Sequence, residues 1–232
     1  MIENDNKDEN QEDNEENKYQ IEYLGQNYDK KLNTYKIILI GLTGVGKTTI
    51  SFRVIKGEFI QSNPTISLDL ANYQIKVNNK IIQMQLWDTC GNEEFARRTP
   101  NLFNNTSLAI LVYAINDRSS FDDISIWYNI LRERCPGCLV YLIGNKNDLE
   151  EKRQVQKNEG EEKKNEYKFN YFIETSSKTG FNIKKLINQM AIYIYEMEDR
   201  NEKLRQGKIR LEKEDLEKNN DKNKKKKKKK CC

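Results

Sequence analysis

In the stretch GLTGVGKTT, Gly41 and Gly46 bracket four residues, and Lys47 and Thr48 follow at once. That spacing, after an apolar run and before a helix-like one, suits a loop that wraps a phosphate. The glycines let backbone N–H groups of Thr43, Gly44, Val45 and Gly46 turn inward, and a helix starting at Lys47 favours an anion. Lys47 is placed to bridge two phosphates, with Thr49 behind it and the Thr48 hydroxyl on a divalent cation. In LWDTCGNEEF, Asp88 closes another apolar run and supplies a second oxygen for that cation, usually through water. Gly91 has no Cβ to block a close approach of its N–H to a terminal phosphate. In GNKND, the Asp148 carboxylate can accept from both the ring N–H and the amino group of guanine. Adenine offers neither donor there, and sites of this kind reject such analogues by about 10⁴-fold or more. Asn145 can tie this loop to the phosphate loop, and the Lys146 stem can cover the face of the base. In ETSSKTG, the Ser177 N–H can hold the guanine carbonyl, Ser176 can buttress Asp148, and Lys178 packs nearby.

These loops need a scaffold that presents them on one edge. The apolar runs YKIILIG, SLAILVYAI, LVYLIG and NYFIET alternate with helix-like stretches between about 35 and 200. SLDLANYQIKV and KIIQMQLWD read as two strands joined through Asn78-Asn79, a hairpin signal. Continuous apolar strands separated by helices imply a mostly parallel sheet covered on both faces, here six strands with one antiparallel and about five helices. Ligands of such sheets bind at the carboxyl ends of the strands, where the four loops fall. SSFDDISIWYNILRERC shows helical spacing, with Ser119 or Ser120 as the expected N-cap, and a charged helix is expected over 150–166.

The overall charge of +4 hides an uneven distribution. Residues 1–18 carry a net −6 and almost no apolar side chains, so the extension 1–33 is expected to be disordered. From Arg200 to the end the net charge is +9. There is no histidine, which removes Ser–His and Cys–His nucleophiles and the commonest zinc ligand. No apolar run reaches the roughly 20 residues of a spanning helix, and a cytosolic chain with reduced cysteines is expected. Cys135 and Cys138, in CPGC, lie where a helix-to-strand turn is expected, and a turn that happens to carry two thiols is the plainer reading beside a redox pair.

Taken together, GVGKT, TI, WDTxGxEEF, GNKxD and ETSSK, in this order, resemble the Ras superfamily of small GTPases across about 35–198. The tryptophan of WDT and the Cys-Cys ending look most like a Rab. The resemblance implies a three-layer α/β P-loop GTPase fold over 34–199 and a GTP/GDP switch that binds Mg²⁺ and hydrolyses GTP slowly. Thr65 would join Thr48 and Asp88 on the metal, and two switch segments, about 57–70 and 89–104, would be ordered by the γ-phosphate. Catalysis would fall to Lys47, Gly91 and residue 92. Rabs usually place glutamine at 92 to orient the attacking water, and this chain has Asn92, one methylene shorter. A hydrolysis-deficient, GTP-bound membrane scaffold is therefore the alternative. Cys90 replaces the usual alanine, and the loop from Thr48 to Thr65 is about one residue shorter than usual.

The tail 200–232, read as a flexible basic coil, ends in seven lysines (Lys224–Lys230) followed by Cys231 and Cys232. Lysine runs are usually solvated and sometimes bind nucleic acid. The Cys-Cys ending resembles the site on which Rabs receive two geranylgeranyl groups, and two lipids beside a basic run anchor stably. The resemblance implies effectors, an exchange factor, an activating protein, a prenylation escort and a GDP-dissociation inhibitor. It also implies a monomer that binds no nucleic acid and cycles between cytosol and the cytoplasmic face of an intracellular membrane.

Overall fold

Strand-forming runs and helix-forming runs alternate along the chain, and the computed structural model arranges them around one mixed sheet. It describes residues 18–61 and 69–228. In chain order the strands are β1 (Ile21–Gly25), β2 (Thr34–Ile40), β3 (Asp69–Val77), β4 (Lys80–Asp88), β5 (Thr106–Ala114), β6 (Leu139–Asn145) and β7 (Tyr171–Glu174). The helices are α1 (Lys47–Lys56), α2 (Glu93–Arg98), α3 (Arg118–Asp122), α4 (Ile124–Arg134), α5 (Lys157–Tyr167) and α6 (Ile183–Lys228), with 3-10 turns at Pro100–Phe103 and Asn147–Lys152. The sheet order is β1-β3-β4-β2-β5-β6-β7. From β4 to β7 every pairing is parallel, while β3 runs antiparallel to both β4 and β1.

The parallel strands β2, β5 and β6 are apolar on both faces because helices cover both. Ile37, Ile38, Leu39 and Ile40 are all fully buried, as are Val112, Leu142 and Ile143. One core packs Trp127, Ile130 and Leu131 of α4 against Leu111 and Leu142. The β3–β4 hairpin turns at Asn78-Asn79, with Val77 opposite Lys80 and Asn78 at φ 53°. Asparagine tolerates that left-handed backbone better than most residues.

The seventh strand corrects the expected six. It comes from the segment 1–33, whose acidic first half hides the alternation of Ile21 and Tyr23. Ile21, Glu22, Tyr23 and Gly25 pair with Val77, Lys76, Ile75 and Gln74. Further contacts hold the segment down. The Gln20 N–H donates to Asn78 Oδ1 at 3.0 Å, the Tyr23 hydroxyl donates to Asn188 Oδ1, and the Asp29 N–H donates to Gln83 Oε1 at 2.7 Å. Gln83 is fully buried, and its Nε2 donates to Thr34 Oγ1 and to Asp29 O. Gln83→Ala should cost about 2–3 kcal/mol, since it leaves the buried Gln74 amide, which donates to Gln83 Oε1 at 2.8 Å, without its acceptor. Urea unfolding of the variant checks this.

Other boundaries also move. The helix expected from Ser119 to Cys135 is two helices, broken at Asp123. Its N-cap is Asp117, whose side chain accepts from the Ser120 N–H, while the Ser120 hydroxyl donates to Asp117 O and accepts from the Ala114 N–H. The helix expected over 150–166 is a 3-10 turn and α5, parted where the N–H groups of Gln154 and Val155 both donate to Ile115 O. The described residues divide into two compact units, one ending at Ile192 and the other starting at Tyr193. The tail expected as coil from 200 is helical through Lys228. Its Glu, Lys, Leu and Arg residues are good helix formers, and Lys203 pairs with Asp199 at 2.7 Å one turn away. Among the described residues no helix is long and apolar enough to cross a membrane.

Candidate functional site

The loops that follow β2, β4, β6 and β7 meet at the carboxyl edge of the sheet around a cavity of about 490 Å³. The loop after β2 is built on left-handed backbone: Gly44 has φ 85° and Gly46, the N-cap of α1, has φ 98°. A Cβ at Gly46 would collide with the Asn145 amide, and one at Gly91 with the Thr43 backbone. Glycine is needed at both places for the loops to close on each other.

Lys47 opens α1 almost fully buried, its ammonium donating to Gly41 O and Leu42 O, both at 2.9 Å. Burial lowers its pKa to about 8, against the raising influence of Asp88 and Cys90. A cation held at such desolvation cost beside a glycine cradle is suited to an anionic ligand. The Thr48 hydroxyl donates to Asp88 Oδ2 at 2.6 Å. This hydroxyl and carboxylate are hard oxygen donors of the kind that Mg²⁺ takes. The Thr43 hydroxyl donates to Gly91 O at 3.0 Å, drawing the loop after β4 onto the loop after β2.

Asn145, fully buried, joins three loops. Its Nδ2 donates to Val45 O at 3.0 Å, and its Oδ1 accepts from the Ser177 N–H at 3.1 Å and the Thr175 hydroxyl at 3.3 Å. Asn145→Ala leaves these buried groups unsatisfied and should destabilise the fold by about 2–3 kcal/mol, measurable by chemical denaturation. Asp148 lines the cavity with Oδ1 accepting from the Ser176 hydroxyl at 2.6 Å and Oδ2 3.9 Å from the Lys178 ammonium. Lys146 sits at φ 66° and starts the 3-10 turn that carries Asp148.

The cavity is thus lined by Thr43, Gly44, Gly46, Lys47, Thr48, Thr49, Gly91, Lys146, Asp148, Ser177 and Lys178. Val45, Asp88, Asn145 and Ser176 are buried behind that lining and hold it. Asn92 is exposed and does not line the cavity; its carbonyl accepts from the Ala96 N–H at 3.1 Å at the start of α2. Thr65, Cys231 and Cys232 lie outside the described residues.

Residues 36–196 match the Ras family model. The chain belongs to the Ras family. This Ras-family domain is a small GTPase domain of a family that binds guanine nucleotide and typically Mg²⁺, and the cavity lies at the carboxyl edge of its sheet. Family membership also implies regulators and effectors in general.

Several residues that shape the Ras-family site carry no motif of their own. Arg53, on α1, donates to Ser177 O at 2.9 Å, to Lys178 O at 2.6 Å and to Gly57 O at 2.7 Å, pinning the loop after β7 to α1. Its place one turn beyond Thr49, whose hydroxyl lies 2.8 Å from Ser177 Oγ, was the available signal. Arg153 forms a two-pronged pair with Glu174, at 2.6 and 2.8 Å, and also reaches Glu150. Hydrogen bonds to both carboxylates push its pKa up, Glu174 first. Asn147 Nδ2 donates to the same Glu174, so the turn carrying Asp148 is braced against β7. Phe59, Gln61, Thr89 and Leu149 complete the cavity wall.

Proposed function

We propose that this Ras-family chain is a Rab-like guanine-nucleotide switch that binds GTP or GDP with Mg²⁺ and works on an intracellular membrane in vesicle traffic. The observation that carries the nucleotide reading is the convergence of Lys47, the Thr48–Asp88 pair and the Ser176-buttressed Asp148 on one cavity. Thr43 to Gly46 offer backbone N–H groups to the phosphates, and Lys47 offers charge. Thr48 and Asp88, with Thr65, would hold Mg²⁺, which neutralises phosphate charge. Asp148 and Ser177 would read the guanine edge, and Lys146 and Lys178 would flank the base. Removing Mg²⁺ with EDTA should accelerate release of a fluorescent GDP analogue on the order of 10-fold or more. An unchanged rate would contradict the assignment of these oxygens.

The Rab reading is supported by the tryptophan of WDT, the seven lysines and the Cys231-Cys232 pair that follows them. Geranylgeranyl groups on both cysteines would anchor the chain, with the lysines adding up to about 1 kcal/mol each near anionic lipid. A prenylation escort and a GDP-dissociation inhibitor would then carry it between membrane and cytosol, and an exchange factor, an activating protein and effectors would set its state. Deleting Cys231 and Cys232 should move the protein to the soluble fraction of a cell lysate; retention on membranes would refute the lipid anchor. A second reading, a GTP-bound scaffold with negligible hydrolysis, is favoured by Asn92, which is short and stands outside the cavity lining.

A further inference from the structure

The end of α4 carries the CPGC stretch away from the nucleotide loops, at the start of β6. The Cys135 N–H donates to Leu131 O at 2.6 Å and closes the helix. The Cys138 N–H then donates to Cys135 O at 3.3 Å, forming a tight turn whose tip, Pro136-Gly137, is exposed. Such a turn keeps its end Cα atoms within about 7 Å, the range across which a disulfide can close. The side chains of Cys135 and Cys138 are near enough to interact electrostatically. Cys138 Sγ also donates to Cys135 O at 3.1 Å, and Cys135 Sγ to Thr106 O at 3.7 Å. Both cysteines are free thiols; Cys138 is buried and Cys135 partly exposed. Two cations attend the pair. Arg132 Nη1 donates to Pro136 O at 2.8 Å and to Cys138 O at 2.9 Å. Lys36, held on Asn104 O at 3.1 Å and over the Trp87 ring, interacts electrostatically with Cys135.

We propose that Cys135 and Cys138 form a redox-active dithiol that reacts with low-molecular-weight disulfides and closes to an intrachain disulfide. Cys135, the accessible thiol beside Lys36, gives its proton to water and attacks one sulfur of the small disulfide. The S–S bond breaks, and the first small thiolate leaves and takes up a proton. Cys138 then attacks the Cys135 sulfur, breaking the mixed disulfide, and the second small thiolate carries off the Cys138 proton. Two protein thiols are oxidised to one disulfide, and one small disulfide is reduced to two thiols. The order follows from the site. Burial first, and then the neighbouring Cys135 side chain, push the Cys138 thiol up to about 12. Bonding Cys135 to another sulfur removes the second cause and leaves Arg132 beside the attacking group. The Cys90 thiol is buried and remote in sequence, and serves as an internal control.

The test uses the full chain in glutathione buffers of stepped redox ratio, quenched with acid, alkylated and digested with trypsin. The peptide from Cys135 to Lys146 carries both thiols and no other cysteine. It should become two hydrogens lighter and refractory to alkylation along a single titration that dithiothreitol reverses. Cys138→Ser should stop at a glutathione adduct on Cys135. Cys135→Ser should react about tenfold more slowly, because only the buried thiol is left. Overturning results are a peptide that stays doubly alkylated in buffers that oxidise the urea-unfolded chain, or wild-type protein that accumulates the mixed disulfide without closing.

Discussion

Asp148→Asn weakens GTP binding on the order of 10⁴-fold and hands preference to xanthosine triphosphate. The native carboxylate lines the cavity with one oxygen already receiving the Ser176 hydroxyl at 2.6 Å and the other 3.9 Å from the Lys178 ammonium. Its remaining lone pairs are suited to the two donors on the guanine edge. Asparagine is isosteric but turns one acceptor into a donor, which then faces a donor on the base. Xanthine carries a carbonyl where guanine has its amino group, so the same asparagine N–H gains an acceptor. Displacement of a fluorescent GDP analogue by GTP and by the xanthine nucleotide measures both arms. Equal affinity of the variant and the native protein for GTP would remove Asp148 from base recognition.

Asn92→Gln raises single-turnover hydrolysis of preloaded GTP on the order of 10²-fold while leaving GTP affinity unchanged. Misplacing a catalytic contact by about 1 Å costs that much, and glutamine restores the missing methylene. The native asparagine stands directly before α2, where its carbonyl accepts from the Ala96 N–H at 3.1 Å. Asparagine is among the preferred residues at such a position and glutamine is not, so the faster variant should also be less stable by about 0.5–1 kcal/mol. A trade of stability against rate at one residue separates the two readings of this chain. A native rate indistinguishable from free GTP, rescued by glutamine, supports the scaffold reading; a variant no faster than the native protein removes position 92 from water positioning.

The glycine loop after β2, the Asp88 end of β4 and the turn of GNKND were legible as elements because each is specified by local rules. Glycine is demanded by positive φ at Gly44 and Gly46, and the Asn145 clamp is written in one short loop. The hairpin at Asn78-Asn79 was legible for the same reason. What escaped was set by partners distant in sequence. Strand β1 exists because Val77, Lys76 and Ile75 offer a sheet edge, and the short alternation of Ile21 and Tyr23 is masked by the acidic run before it. Arg53 and the Arg153–Glu174 pair looked like ordinary charges, since their value lies in carbonyls and carboxylates reached across the fold. The break at Asp123 was hidden by a continuous helical spacing on either side. The α6 extension to Lys228 shows propensity acting where an apolar face is lacking, contrary to the coil expected there.

The nucleotide that the purified protein carries bears most directly on the central claim. Chain freshly isolated in Mg²⁺ buffer, denatured and chromatographed, should release close to one equivalent of GDP and GTP combined, with the GTP share reporting how well Asn92 supports hydrolysis. A stoichiometric adenine nucleotide, or a chain that holds no nucleotide and fails to take up GTP with Mg²⁺, would contradict the account.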